Sequence, residues 1–293
     1  MLLSPAPSST TSFFASFFSG RLFKRMKKSA ALWIGLAITA LLVVIGVFGP
    51  LIVGSDGLLP IHLELDLAPP SVAGRLGRGE NGVDVLTALV HGARVSLIVS
   101  FTATTLSLSI GVLFGATAGF VGGKVDALAM RIVDVLLAFP GILLAIYVAA
   151  VLPPSLLNVA IALSATGWVG YARLARAQVL EVKGREFVQA AHALGASKPR
   201  VLLVHVLPNI LGPLLIQASF GLSTAVLAEA SLSFLGIGVP PGTPSWGALL
   251  DEGVAHLFVA PHLVLFPGAC IAVCVLGFNF LGDGLRDVLD SKS

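Results

Sequence analysis

Two carboxylates set in apolar runs are the residues of this chain whose placement most needs a chemical reason. Asp134 sits in MRIVDVLLAFPG, one helical turn after Arg131, and Glu229 sits in VLAEASLSFLG. An ionisable group at membrane depth costs roughly 2.5–3.5 kcal/mol on insertion scales, so each needs a partner or a task. For Asp134 the simpler account is a local ion pair with Arg131, against which stands a role in proton relay. Glu229 is deeper in its run, where it either lines a pathway or bonds a neighbouring helix. Other chemistry is missing. No Gly-x-x-x-x-Gly-Lys-Ser/Thr loop is present to cradle a nucleotide phosphate. His62, His91, His192, His205, His256 and His262 are scattered without metal-ligand spacing, and no hydrolase motif of the Gly-x-Ser-x-Gly or His-Glu-x-x-His kind occurs. Cys270 and Cys274 lie one turn apart in an apolar run and read as packing residues. A catalytic role, a resident metal and a resident cofactor are therefore not expected.

The elements that position these residues are membrane helices. Hydrophobic residues are 56% of the chain and 32 glycines add to them, so about two-thirds is apolar against roughly 45–50% in soluble domains. Charged residues are 11%, against roughly 25%. The net charge of +3 is small, and the pI is no nucleic-acid footprint. Runs long enough for a bilayer core of roughly 30 Å are Ala30 to Val53, Val95 to Phe120, Ile132 to Leu152, Leu156 to about Leu180, Pro208 to Leu235, and Pro261 to Leu281. The turn Val121-Gly122-Gly123-Lys124 makes the second and third antiparallel, and Pro153-Pro154-Ser155 separates the third from the fourth. Glycines and alanines within the spans suit close helix contact in lipid.

Charge sets the expected orientation. Arg21, Lys24, Arg25, Lys27 and Lys28 precede the first span, and Arg173, Arg176, Lys183, Arg185, Lys198 and Arg200 surround the loop after the fourth. The segment from Gly54 to His91 carries only Arg75 and Arg78 against five acids. The positive-inside rule then places both termini in the cytoplasm. The chain divides into a cytoplasmic tail at 1–29, a first transmembrane helix at 30–53, an extracytoplasmic, turn-rich loop at 54–91, and a five-helix core at 92–293. The tail's basic residues follow its Phe-rich stretch, the reverse of a cleaved secretory signal.

The one long polar interruption in the second half, at 181–209, has its own pattern. Phe187, Ala190, Ala191 and Leu194 recur at i, i+3, i+4 and i+7 behind Glu186, which predicts one face of a short amphipathic helix. Gly195 ends it in a left-handed turn, and Ser197-Lys198-Pro199 opens a second helix.

This loop resembles the cytoplasmic "EAA" loop of ABC importer permeases: Gln189-Ala190-Ala191, three residues, Gly195, then a spacer to Leu207-Pro208. It departs at the first letter, where the family has Glu. From about Gly77 to Leu289 the chain is similar to the dipeptide/oligopeptide/nickel branch of these permeases, and to the second of their two paired membrane subunits. The runs that carry this are HGARVSL from His91, Phe139-Pro140-Gly141 after Asp134, Gly170-Tyr171-Ala172-Arg173, AEASLSFLG from Ala228, Pro244-Ser245-Trp246-Gly247, and LGDGLRD from Leu281. Before the second span the family reads Gly-Thr-Asp-x-x-Gly-Arg-Asp, whereas this chain has GRGENGVD from Gly77 to Asp84.

The resemblance implies an all-α integral membrane protein of six transmembrane helices, the type I importer permease architecture, with a cytoplasmic coupling helix over Phe187 to Gly195. It implies a bacterial-type inner membrane location, a homologous permease partner, an extracytoplasmic solute-binding protein, and two cytoplasmic ATPases that hold the ATP and Mg. Peptides, nickel and metal chelates are the solutes of this branch. The rival reading is an ion-coupled secondary transporter using Asp134 and Glu229, for which a matched pair of Gly/Pro-broken helices would speak. A purely structural membrane subunit would not need a polar helix–turn–helix.

Overall fold

The computed structural model of the chain describes residues 26–54, 58, 62–71 and 74–289. Most of the expected tail, residues 1–25, lies outside these. Among the described residues the fold is all-helical, and its extended pairing is limited to two isolated bridges, Ser71 with Gly74 and Arg78 with Asp84. The helices are α1 (Ala30–Val53), α2 (Val85–Val121), α3 (Gly123–Leu137), α4 (Gly141–Val151), α5 (Leu156–Lys183), α6 (Glu186–Ala193), α7 (Lys198–Phe234), α8 (Trp246–Ala255) and α9 (His262–Leu289).

Four of these, α1, α2, α7 and α9, are long and apolar enough to cross a membrane, and α3 with α4 make a fifth if the bent pair is one span. The 28-residue α5 is not among these, but it lies where the sequence predicts the fourth span, so the helices follow the order of the expected segments. Their bounds differ in places, and two of the differences have a visible cause. Helix α2 starts at Val85, ten residues before the expected span, because Asp84 caps it by accepting from the Thr87 N–H at 2.9 Å. The stretch Ile132 to Leu152 is not one helix: it turns by 84° between α3 and α4. The cause is Pro140, which has no N–H to donate and disfavours helical backbone at Phe139.

Small residues draw α2 and α5 together. Gly111, Gly115 and Gly119 on α2 face Trp168, Ala172 and Arg176 on α5, and a methyl at Gly111 or Gly115 would run into the backbone of α5. Both sets are spaced by four, so one ridge of backbone lies along another. Gly35 and Gly284 do the same for α1 and α9, against Leu281 and Leu32.

At the far end of α2, Trp246 at the start of α8 is fully buried, its indole N–H donating to the Leu89 carbonyl at 3.1 Å and its backbone N–H to Ser96 Oγ at 3.3 Å. The expected turn-rich loop packs here too, with Leu67 and Leu76 against the same core. Arg78 stands near Asp84, Nη1 to Oδ2 at 3.8 Å, and Glu252 of α8 accepts the Glu80 N–H at 3.2 Å. Burial pushes the Glu252 carboxyl up from its ordinary range, and that backbone bond partly offsets the push.

Candidate functional site

At the other end of α2 lies the polar interruption, and its geometry starts from the eight-residue α6. The buried residues of α6 are Val188 and Ala191, with Phe187 half-buried beside them. They enter a core made by Ala116 and Phe120 of α2, Val179 and Val182 of α5, and Val201, Val206 and Ile210 of α7. The face expected from Phe187, Ala190, Ala191 and Leu194 is thus rotated: Ala190 is exposed, and Leu194 is 88% exposed at the tip. Glu186 and Gln189 are exposed as well. Gln189 Nε2 donates to the Gly184 carbonyl at 3.1 Å.

The end of α6 is a left-handed turn. Gly195 has φ +83°, the Leu194 N–H donates to Ala190 at 3.0 Å, and the Ala196 N–H reaches back to Ala191 at 3.1 Å. Beyond Ser197, Lys198–Arg200 and the wider π-turn Val201–Val206 run straight into Leu207–Phe234. In the π-turn the Leu207 N–H donates five residues back, to Leu202. This looser winding gives room to the ring of Pro208, so Leu207-Pro208 lies inside a continuous helix rather than at a break.

Side chains that sequence reasoning did not single out hold α6 in place. The rings of His192 and Phe120 stack with centroids 6.2 Å apart. Lys183 Nζ lies 5.5 Å from the Phe120 centroid and donates to the Phe120 carbonyl at 2.5 Å. Two turns earlier on α5, Arg176 bonds Asp126 of α3 through two nitrogens, at 2.5 and 2.6 Å. Lys183 alone carries a sequence signal, a cation in the last turn of a helix, where it meets orphan carbonyls.

The two carboxylates part company. Asp134 is exposed and pairs at 3.8 Å with Arg173 of α5, not with Arg131. Glu229 is fully buried, with Oε1 accepting from Ser233 Oγ at 2.7 Å. It faces the junction with Ser96 and Ser245 and does not line the cavity enclosed by α2, α4, α5 and α7. Ser233 lies one turn on in the same helix, and Glu229 Oε2 is buried without a hydrogen-bond partner. No group of three or more His, Cys, Asp or Glu residues that would hold a metal occurs among the described residues.

That cavity, about 440 Å³, lies between α2, α4, α5 and α7. Its polar residues include Thr104 and Ser107, Thr166 and Tyr171, and Gln217 and Thr224, and no charged residue lines it.

Residues 111–293 match the family model described as the binding-protein-dependent transport system inner membrane component. The chain is 42% identical over 270 residues to the dipeptide transport system permease protein DppC of Alkalihalophilus pseudofirmus, covering 92% of this chain and 88% of that one. It is 38% identical over 288 residues, 94% of each chain, to the oligopeptide transport system permease protein OppC of Bacillus subtilis. Among solved structures, a chain of the MetNI methionine ABC transporter in an inward-facing conformation shares the fold, with TM-score 0.57 at 20% identity over 69% of this chain and 97% of that one. An ion-coupled secondary transporter has no support in these likenesses or in the separate settings of Asp134 and Glu229. A helical bundle with a small exposed helix locked between two long ones, and relatives alike over nine-tenths of the chain, lead to one conclusion: the chain belongs to the binding-protein-dependent transport system inner membrane components, as a permease subunit of the dipeptide/oligopeptide branch of ABC importers.

Proposed function

We propose that this subunit passes short peptides across a bacterial inner membrane, with both termini in the cytoplasm and six spans, and that ATP energy enters it through α6. In this reading a homologous permease subunit completes the pathway, an extracytoplasmic solute-binding protein delivers the peptide, and two cytoplasmic ATPases bind ATP and Mg and grip the exposed side of α6. The observation that carries it is the division of α6 into an anchored and a free side. Val188 and Ala191 are sunk between α2, α5 and α7, while Gln189, Ala190, Leu194 and Gly195 stand out from the bundle.

An exposed leucine at a helix tip next to a side-chain-free residue is a knob that fits a partner's groove. A push on this knob reaches α2 through the His192–Phe120 stack, α5 through the short link Gly184-Arg185 and α7 through residues 194–197. Glu186 in the first turn favours the helix through its dipole. Peptides are favoured over nickel by the names of the relatives above and by the absence of charged or thiol groups around the cavity, since a transition-metal ion needs imidazole, thiolate or carboxylate ligands.

The test is uptake by the reconstituted complex of this chain with the three partner subunits and the binding protein in proteoliposomes. ATP-dependent accumulation of a labelled dipeptide, without accumulation of free nickel, supports the reading. Accumulation of nickel alone, or of neither, overturns it.

A further inference from the structure

Two buried hydroxyls at the wall of the α2–α4–α5–α7 cavity have no partner. Tyr171 is 5% exposed and Thr104 is 7% exposed, both line the cavity, and neither Tyr171 Oη nor Thr104 Oγ1 makes a hydrogen bond. They meet at one point. A methyl at Gly221 of α7 would collide with Tyr171 Oη and would stand 3.6 Å from Thr104 Cγ2, so three helices bring these groups together where a glycine leaves the space. A buried hydroxyl without a partner is a standing free-energy cost, and two of them at one wall of one cavity indicate a ligand that supplies the missing bonds. Two hydroxyls that α7 brings to the same cavity show the contrast, because Thr224 Oγ1 and Ser231 Oγ are satisfied by carbonyls one turn back.

The character of the cavity limits what that ligand is. Its volume of about 440 Å³ is within the roughly 300–1,000 Å³ of small-molecule sites. Its lining has hydroxyls, one amide and apolar groups but no charge, so it cannot select for or against a charged side chain by pairing with it. The groups that every short peptide shares are its main-chain N–H and C=O, and a phenol and an aliphatic hydroxyl each both donate and accept. The open side carries Gln217 and Thr224 at i and i+7 on α7, one more polar stripe of the same neutral kind.

We propose that this cavity is a transit site that holds a peptide by its main-chain amide through Tyr171 and Thr104, and that it is indifferent to side-chain charge. The inference rests on the peptide reading above and adds the site and the mode of recognition. Within this site Gly221 leaves the space that keeps the two hydroxyls reachable.

The experiment uses the reconstituted complex with its binding protein held saturating. Uptake of alanyl-alanine is compared with that of its ester analogue, alanyl-lactate, in the wild-type chain and in Tyr171→Phe and Thr104→Val. Both substitutions keep shape and remove one hydroxyl. Any preference of the binding protein is common to all three complexes and cancels in the comparison. The amide-over-ester preference should fall about three- to ten-fold in either variant, the worth of one net hydrogen bond. It should fall equally when lysyl-alanine and aspartyl-alanine replace alanyl-alanine, each against its own ester. An unchanged preference in both variants, or a fall that depends on side-chain charge, overturns the site. If the wild-type complex takes up none of the peptides, it is the peptide reading itself that fails, which separates the two outcomes.

Discussion

The ring of His192 on α6 lies on the ring of Phe120 at the end of α2, centroids 6.2 Å apart and planes inclined by 25°. Lys183, the last residue of α5, holds the same phenylalanine by its carbonyl and its ring. One side chain therefore ties three elements, and α6 cannot shift without disturbing α2 and α5 together.

Replacing Phe120 by Leu keeps most of the buried volume but removes the stacking and the cation–π contact, each worth about 1 kcal/mol. The variant should assemble normally and lose several-fold in substrate-stimulated ATP hydrolysis. Hydrolysis by the purified complex, with and without loaded binding protein, measures this. Wild-type stimulation would show that the stack transmits nothing.

The Asp126–Arg176 pair joins α3 to α5 through two short charge-assisted bonds in a half-buried setting. Removing one partner should cost about 2 kcal/mol, because the other charge loses its bonds. The double variant Asp126→Ala with Arg176→Ala should be less destabilised than the two single losses added together. Thermal unfolding in detergent across this cycle is the check, and strictly additive losses would mean that the pair is not coupled.

Much of this was legible in the sequence, and the limits have physical causes. The order of the six segments followed from length and apolarity, and the turn at Gly195 from the need for a residue at positive φ. Which face of α6 packs was not legible. Apolar residues occupy 187, 188, 190, 191, 193 and 194, so two faces satisfy the helical period, and only α5 and α7 decide for Val188 and Ala191. The same holds for Asp134, where a local partner at Arg131 and a distant one at Arg173 look alike until the helices are placed. The bend at Pro140 obeys a plain rule but was hidden in an unbroken apolar run. The orphan hydroxyls of Tyr171 and Thr104 carry no sequence signal, because a missing bond exists only in three dimensions.

Glu229 offers a sharper contrast now that its surroundings are known. Glu229→Gln keeps an acceptor for Ser233 and fills the same space, whereas Glu229→Ala leaves a cavity and unpaired serine hydroxyls at the α2–α7–α8 junction. The alanine variant should insert in the membrane yet lose about 2–4 kcal/mol of stability and impair uptake or assembly. The glutamine variant should stay close to wild type. Equal behaviour of alanine and wild type in membrane yield, thermal stability and uptake would remove any required polar role.

The topology makes a direct forecast. Arg78 lies at the Asp84 end of α2 and Lys198 at the start of α7, next to α6. Single cysteines at these positions should react with a membrane-impermeant maleimide from opposite sides, Arg78→Cys from outside and Lys198→Cys only after the cells are opened. Labelling of both from the same side contradicts six spans with both termini inside.

The central claim is that energy enters through α6, and Gly195 tests it because a Cβ there meets nothing within 4 Å in this chain. Asp at this position costs the fold only about 1 kcal/mol for the left-handed turn, so a larger effect must arise in a partner. The measurement is substrate-stimulated ATP hydrolysis by the reconstituted complex carrying Gly195→Asp, beside Gln189→Glu, which supplies the acid that the resemblance of this loop implies. The account predicts that Gly195→Asp reaches the membrane, retains its ATPase subunits poorly and shows no stimulation, while Gln189→Glu behaves as wild type. Full docking and full stimulation with Gly195→Asp would contradict it.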